Sequence, residues 1–204
     1  LAFDQLSEDR QINLGEDAWV EVLAVGARVE GRGRVIKEEN IGITSQNDFS
    51  AVLVLHYKKF DIYLGGDLSG YLHESWGAWY HNMEGATFAH LRPVEAYRVN
   101  HHGSQWSSSY PFLQRIKPSV SVLSCGKGHR HPNEYTVQRL LGWEDYWTGQ
   151  PMGSDIFQTK NDDGFVFEGV HPHTGRRQIV AEGHILIESD GETSFTVTLP
   201  GQEP

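Results

Sequence analysis

The sequence is poor in cysteine, poor in basic charge and free of long apolar runs. Cys125 is the single cysteine among 204 residues, which excludes a disulfide framework and allows a reducing, cytoplasmic compartment. No apolar run approaches the length of about 18 residues that a membrane-spanning helix needs, and the start shows no secretion signal. The formal charge of −10 argues against broad non-specific binding to a phosphate backbone, although divalent ions would reverse the sign locally.

The remaining composition is that of a folded protein. Apolar residues make up 38% of the chain and 22 glycines predict many tight turns. The length fits one domain with an appendage, and we predict a main part over residues 1–150 and a β-rich C-terminal extension over 151–204, packed on the same domain.

Periodicity and turn signals predict alternating strands and helices in the middle of the chain. Strands are predicted at 18–26, 50–57, 58–66, 94–99, 119–126, 144–149, 163–169, 177–189 and 193–199. Helices are predicted at 107–117 and 132–142, together with a frayed helix over 67–83 that is broken at Gly70 and Gly77. Residues 26–48 have no period and predict a long loop. The order predicts an α/β or α+β layered domain that closes with an antiparallel β tail.

Carboxylate and imidazole groups follow three of these strands. Asp67 ends one strand, His101 and His102 end another, and His129 and His131 follow a third. Ligands gather at strand ends in layered α/β folds, and these side chains suit Zn²⁺ or Mn²⁺. Simpler explanations remain open: Asp67 would also cap a helix, the His-His pair would also suit a surface loop, and His131 would also suit a structural turn.

The ordered motifs resemble the later half of a metallo-β-lactamase-fold hydrolase. They are "NDFSAVLVLHYKKFDIYLGGDL", "YRVNHHGSQWSSSYPFLQRIKPSVSVLSCGKGHRHPNEYTVQRL" and "YWTG". The set is similar to the hydrolase domain of DNA-uptake competence proteins of the ComEC type and their soluble relatives. The resemblance covers residues 12–149, and it implies an αββα sandwich with a binuclear metal centre.

The resemblance also implies roles for individual residues. Asp67 matches the family's bridging metal ligand, and one of His101 and His102 matches its late metal histidine, with His102 slightly favoured because it directly precedes the glycine. His131 matches the histidine of the GHP loop, which would contact the scissile phosphate or donate a proton to the leaving oxygen. Asp67, His102 and His131 are therefore the predicted catalytic residues.

The predicted substrate-binding residues surround this group. They are Asn47 and Ser50 of the N-x-x-S stretch, Ser104 through its hydroxyl or backbone N–H, and the nearby cations Lys127 and Arg130.

One departure from the family pattern is large. The H-x-H-x-D-H motif, which supplies most metal ligands in this family, is absent. Either the chain is the later part of a longer protein, so that an upstream segment or a partner chain carries those ligands, or the domain is degenerate. The first alternative is favoured by the missing initiator Met, and a half-domain would leave an unpaired sheet edge.

The resemblance therefore implies a metal-dependent hydrolase with two Zn, or alternatively Mn, ions per complete domain. By the same resemblance, phosphodiester hydrolysis is the expected reaction. Nucleic acid is the first candidate substrate, and a small phosphodiester, a lactone or a thioester are the alternatives. A metal-free binding or scaffold module that kept the fold is the rival. A single-metal structural site of His129, His131, His171 and His173 is a second, weaker rival.

Overall fold

The computed structural model describes residues 10–202, so residues 1–9 and 203–204 of the two predicted regions lie outside it. Within residues 10–202, the strands are β1 Gln11–Gly15, β2 Ala18–Val25, β3 Arg28–Val29, β4 Gly33–Arg34, β5 Val52–Tyr57, β6 Phe60–Leu64, β7 His73–Ser75, β8 Ala78–Tyr80, β9 Ala96–Arg98, β10 Val120–Leu123, β11 Trp143–Glu144, β12 Pro151–Met152, β13 Asp155–Gln158, β14 Gln178–Val180, β15 Leu186–Ser189 and β16 Phe195–Thr198. The α-helices of the same range are α1 Met83–Ala86, α2 Tyr110–Ile116 and α3 Glu134–Leu141.

One large mixed sheet organises the chain. Its strand order is β14-β13-β10-β9-β6-β5-β2-β3-β4, with β1 paired to β2. The strands from β6 through β9, β10 and β13 to β14 are parallel, whereas β6, β5, β2, β3 and β4 pair antiparallel. The carboxyl ends of β6, β9 and β10 therefore meet at one edge, where ligands bind in parallel sheets.

The helices cross between the parallel strands and cover the sheet. Helix α2 connects β9 to β10, and α3 lies between β10 and β13. Helix α2 buries Phe112, Leu113 and Ile116, while α3 buries Leu140 and Leu141. These side chains join one core with the strand residues, so the apolar stripe of each helix fixes the loops at the strand ends.

The predicted α/β class is confirmed, with a large mixed sheet and few helices. The 50–57/58–66 hairpin, the strands at 94–99 and 119–126 and both predicted helices are present within a few residues. Ser109 takes the N-cap position of α2, but its hydroxyl donates to Glu84 rather than capping the helix. A two-sheet αββα sandwich is not confirmed by this architecture.

The predicted helix over 67–83 is wrong. The segment forms the hairpin β7–β8, and α1 begins only at Met83. Trp76 and Gly77 at the turn have φ values of 54° and 74°, and positive φ at both central positions is what a two-residue type I′ hairpin turn requires. The spacing of the aromatic residues fits the periodicity of a helix, but Trp76 is 99% exposed and belongs to no apolar stripe.

Three further predictions need correction. The loop at 26–48 contains β3, β4 and two 3₁₀ helices, Glu38–Ile43 and Gln46–Phe49. The strand at 144–149 is limited to β11, because Asp145 accepts the N–H groups of Trp147 and Thr148 and folds the chain into a turn. Residues 163–169 form no strand.

The tail is only partly antiparallel. β15 and β16 form the predicted antiparallel hairpin, whereas β13 and β14 join the main sheet in parallel. None of the helices in residues 10–202 has the length and apolar character needed to cross a membrane.

Candidate functional site

Most of the predicted site residues line one cleft at the carboxyl edge of the parallel strands. The cleft has a volume of about 740 Å³. Its walls include Asn47, Asp67, His101, His102, Ser104, Arg130 and His131 from the predicted set. Residues separated by up to 84 positions in the sequence (Asn47 and His131) are thus brought to one place by the strand order.

His102 faces Asp67 across this cleft. Nε2 of His102 lies 3.5 Å from Oδ1 of Asp67, and Nδ1 donates to the Ser124 carbonyl at 2.5 Å. The contact with Asp67 raises the pKa of His102 and lowers the pKa of Asp67. A carbonyl only accepts, so Nδ1 carries a proton and Nε2 is the nitrogen left to face a ligand.

His101 points elsewhere. The Asn47 side-chain amide donates to its Nε2 at 3.1 Å, and its Nδ1 is buried without a hydrogen-bond partner in the described structure. Burial lowers the pKa of His101. The structure thus sets His102, rather than His101, against Asp67.

The His-His pair has an unusual backbone. His101 and His102 both adopt left-handed conformations, with φ of 49° and 52°. Two successive non-glycine residues in this region are uncommon and costly, and such strain clusters at functional sites. The N–H of His101 donates to the Gly66 carbonyl at 3.0 Å, which joins the end of β9 to the end of β6.

The glycine pair before Asp67 allows a close approach. A Cβ on Gly66, whose φ is +61°, would lie 2.8 Å from Cβ of Ser50. The N–H of Asp67 donates to Oγ of Ser50 at 3.1 Å. Ser50 therefore supports the backbone of Asp67, although it does not line the cleft.

The loop after β10 contributes His131 and Arg130 to the cleft wall. Burial, reinforced by neighbouring histidines, lowers the pKa of His131 to about 4, so its ring is neutral near pH 7. Its ring centroid lies 5.7 Å from that of His101. Arg130 is exposed, and so is Lys127, which lies outside the cleft lining.

Ser104 lines the cleft and is only 5% exposed. Its N–H donates to the His101 carbonyl at 2.9 Å, which leaves the hydroxyl, not the backbone, to meet a substrate.

A buried carboxylate supports these loops, and no local sequence pattern predicts it. Glu84 is fully buried and accepts hydrogen bonds from the Asn100 side chain, from the N–H groups of Ser108 and Ser109, and from Oγ of Ser109. Burial raises the pKa of Glu84. Four donors around one carboxylate tie α1 to the chain on both sides of the His-His loop.

One wall of the same cleft is aromatic and was not predicted from the sequence. It consists of His73, Trp76, Tyr80 and Trp106. The Trp-Gly pair between two short aromatic runs was the available turn signal, and we interpreted it as a helix break.

The four-histidine site is not assembled. His171 and His173 line a second cleft of about 700 Å³, whereas His129 and His131 line the first. Among residues 10–202, no group of three or more His, Cys, Asp or Glu side chains is placed to hold a metal ion.

Comparison with known proteins gives one short likeness. No protein-family model matches the chain. A stretch of 49 residues is 35% identical to ComE operon protein 3 of Bacillus subtilis (strain 168). The match covers 23% of this chain and 6% of that protein, so the chain spans a small part of the length of this relative.

Proposed function

We propose that the chain is the later part of a metallo-β-lactamase-fold, metal-dependent hydrolase that cleaves phosphodiester bonds in a nuclease-like reaction. The ordered motifs, the short likeness to a competence-related protein and the clustering at three strand ends support this proposal. A single large sheet is compatible with one half of a two-sheet sandwich.

The geometry of His102 is the observation that carries the proposal. The Ser124 carbonyl holds Nδ1, and Nε2 faces the carboxylate of Asp67. Metal-ligating histidines commonly donate their other N–H to a carbonyl or carboxylate, which fixes the tautomer and the ring orientation. A surface histidine pair needs neither this tether nor a left-handed backbone at both residues.

The donor chemistry suits the expected ions, but the donor number does not complete a site. Imidazole nitrogen and carboxylate oxygen suit Zn²⁺, and Mn²⁺ accepts them too. Asp67 and His102 would hold the metal, with His101 beside them, and the remaining ligands would come from an upstream segment or a partner chain. When bound, two such ions lower the pKa of water and neutralise charge on phosphate.

The chain's own groups would position the substrate. Arg130 and the Ser104 hydroxyl line the cleft and would bind phosphate oxygens, while the more distant Lys127 would attract the anion. Asn47 would orient His101, and Ser50 would orient Asp67. The neutral ring of His131 would first accept a hydrogen bond or a proton, and it would donate one only after a bound anion had raised its pKa.

A metal-free binding or scaffold module is the alternative. The absence of a three-residue ligand group from residues 10–202 favours it, as does the acidic charge. The two functions differ in metal content, which elemental analysis measures directly.

The test is elemental analysis of the purified full-length protein beside Asp67→Ala and a surface control, Asp162→Asn. The hydrolase predicts about two Zn or Mn ions per chain, a loss or halving in Asp67→Ala, and no change in the control. Absence of bound metal in every protein, even after incubation with Zn²⁺ and Mn²⁺, would overturn the hydrolase and leave the binding module.

A further inference from the structure

A column of stacked rings forms one wall of the cleft. Trp106 stacks on His73 with ring centroids 4.6 Å apart and an interplanar angle of 20°. His73 stacks on Tyr80 at 4.4 Å and 14°, and Tyr80 lies nearly parallel to His101 at 6.2 Å and 17°. The column runs from the serine-rich loop through the β7–β8 hairpin to the His-His pair beside Asp67.

Trp76 stands at the tip of the hairpin, on the wall of the same cleft. Its side chain is 99% exposed, although an indole is among the largest apolar groups in the chain. Its φ of 54° is a costly conformation for a bulky residue. An exposed indole on a strained backbone does not stabilise the folded state. Binding of a ligand would explain why the chain places it there.

The charge of the protein limits which ligand chemistry fits. The net charge is −10, and Arg98 on the strand before the His-His pair is already held by the Gly66 carbonyl and lies 3.6 Å from Asp67. Phosphate contacts alone therefore supply little affinity. Stacking of bases on aromatic rings does not depend on a basic surface, and every base has a face to offer.

We infer that Trp76 and the exposed face of Trp106 form a stacking subsite for the bases of single-stranded nucleic acid. The inference rests on the proposed function, because a nucleotide joins a planar base to the phosphodiester that the Asp67–His102 end of the cleft would receive. Bases in a duplex keep their faces stacked inside the helix, so the subsite selects a single strand over a duplex.

The experiment measures binding separately from hydrolysis. The 204-residue chain is titrated, in a buffer with EDTA, into fluorescently labelled oligothymidylate, an abasic strand of equal length and a duplex of the same length, with anisotropy as the readout. The variants are Trp76→Ala, Trp76→Phe and Trp147→Ala. Trp147 is a matched control, because it is 84% exposed at a turn and does not line the cleft.

The expected result is that Trp76→Ala weakens oligothymidylate binding about 5- to 100-fold and that Trp76→Phe restores most of the loss. The Trp147→Ala variant should bind like the wild type. The abasic strand and the duplex should bind weakly, with no response to Trp76→Ala.

Three results would overturn the inference. The first is equal binding of oligothymidylate by the wild type and Trp76→Ala. The second is binding of the abasic strand or the duplex as tight as that of oligothymidylate. The third is a wild-type dimer, seen in sedimentation, that Trp76→Ala dissociates without any change in oligonucleotide affinity. The last would assign the indole to a protein interface. Because EDTA removes metal from this binding experiment, a failure to bind oligothymidylate would not count against the proposed hydrolase. Equally, a protein without metal in the elemental analysis would not count against the stacking subsite.

Discussion

Nε2 of His102 lies 3.5 Å from Oδ1 of Asp67, while the opposite ring nitrogen of His102 donates to the Ser124 carbonyl. Both side chains are more than one-third exposed, at 39% for His102 and 34% for Asp67. Ion pairs this exposed contribute about 0–1 kcal/mol to stability. The hydrogen bond from His102 to the Ser124 carbonyl thus fixes the orientation of the imidazole ring, although the ion pair contributes little to the stability of the protein.

Replacing either partner of this pair should weaken metal binding without unfolding the protein. We expect Asp67→Asn and His102→Ala to change the free energy of unfolding, measured by urea denaturation in EDTA, by about 1 kcal/mol or less. Zinc affinity, measured by competition with a chromogenic chelator, should fall at least 10-fold. A loss of several kcal/mol with unchanged zinc affinity would show that the pair is structural.

Replacement of the buried Glu84 should lower the free energy of unfolding far more than replacement of an exposed glutamate. Glu84→Gln places an amide NH₂ group among four donors and leaves one of them unpaired, which costs about 1–3 kcal/mol. Thermal and urea unfolding measure the loss. Glu188→Gln, at an exposed position on β15, is the matched control and should stay within about 0.5 kcal/mol. Equal stability of the two variants would contradict the network.

Gly103 should not tolerate a side chain. Its φ is +79°, and an added Cβ would lie 2.7 Å from Cβ of Pro132 and 2.9 Å from Cδ2 of Leu123. Left-handed strain and overpacking together predict that Gly103→Ala loses about 2–4 kcal/mol of unfolding free energy. At Gly126 an added Cβ meets no atom within 4 Å, so Gly126→Ala should be nearly neutral. A neutral Gly103→Ala would mean that the loops pack differently.

Far from the cleft, His56 couples stability to pH. His56 is 2% exposed, its Nδ1 lies 2.6 Å from Asp61, its Nε2 lies 3.1 Å from Glu21, and Arg92 and the Trp19 ring complete its surroundings. Burial alone would lower its pKa and is the largest effect, but the hydrogen bonds to the two carboxylates together outweigh it and raise the pKa above 6.5.

A raised histidine pKa means that the folded state binds the proton more tightly than the unfolded state. The stabilisation is therefore complete below pH 6.5 and is lost as the pH rises through the folded pKa, at about 1.4 kcal/mol per unit of pKa difference. Urea denaturation between pH 5.5 and 9 should show this falling slope in the wild type. The slope should be smaller in His56→Phe, which keeps a ring against Trp19, and the part that remains comes from His102, whose pKa is also raised in the folded protein. Equal slopes in the two proteins would contradict the assignment.

The local sequence pattern was sufficient to predict secondary structure in segments whose own residues determine it. The apolar run at 50–57 and the alternating segment that returns at 58–66 predicted the hairpin that β5 and β6 form. The Pro at the start and the Gly at the end of the segment 132–142 predicted α3. The helix prediction for 67–83 was wrong because the spacing of its aromatic residues also fits a helix. The left-handed Trp-Gly turn and the packing of the segment at the cleft wall determine its structure instead.

The sequence by itself determined the α/β class, the strand-end positions of Asp67 and the two histidines, and the acidic charge, because these follow from periodicity, order and composition. Only the tertiary structure decided that His102 rather than His101 faces Asp67, that Glu84 supports the loops and that an aromatic column lines the cleft. These relationships join residues far apart in the chain through strand order and backbone conformation, and no local pattern encodes such distances.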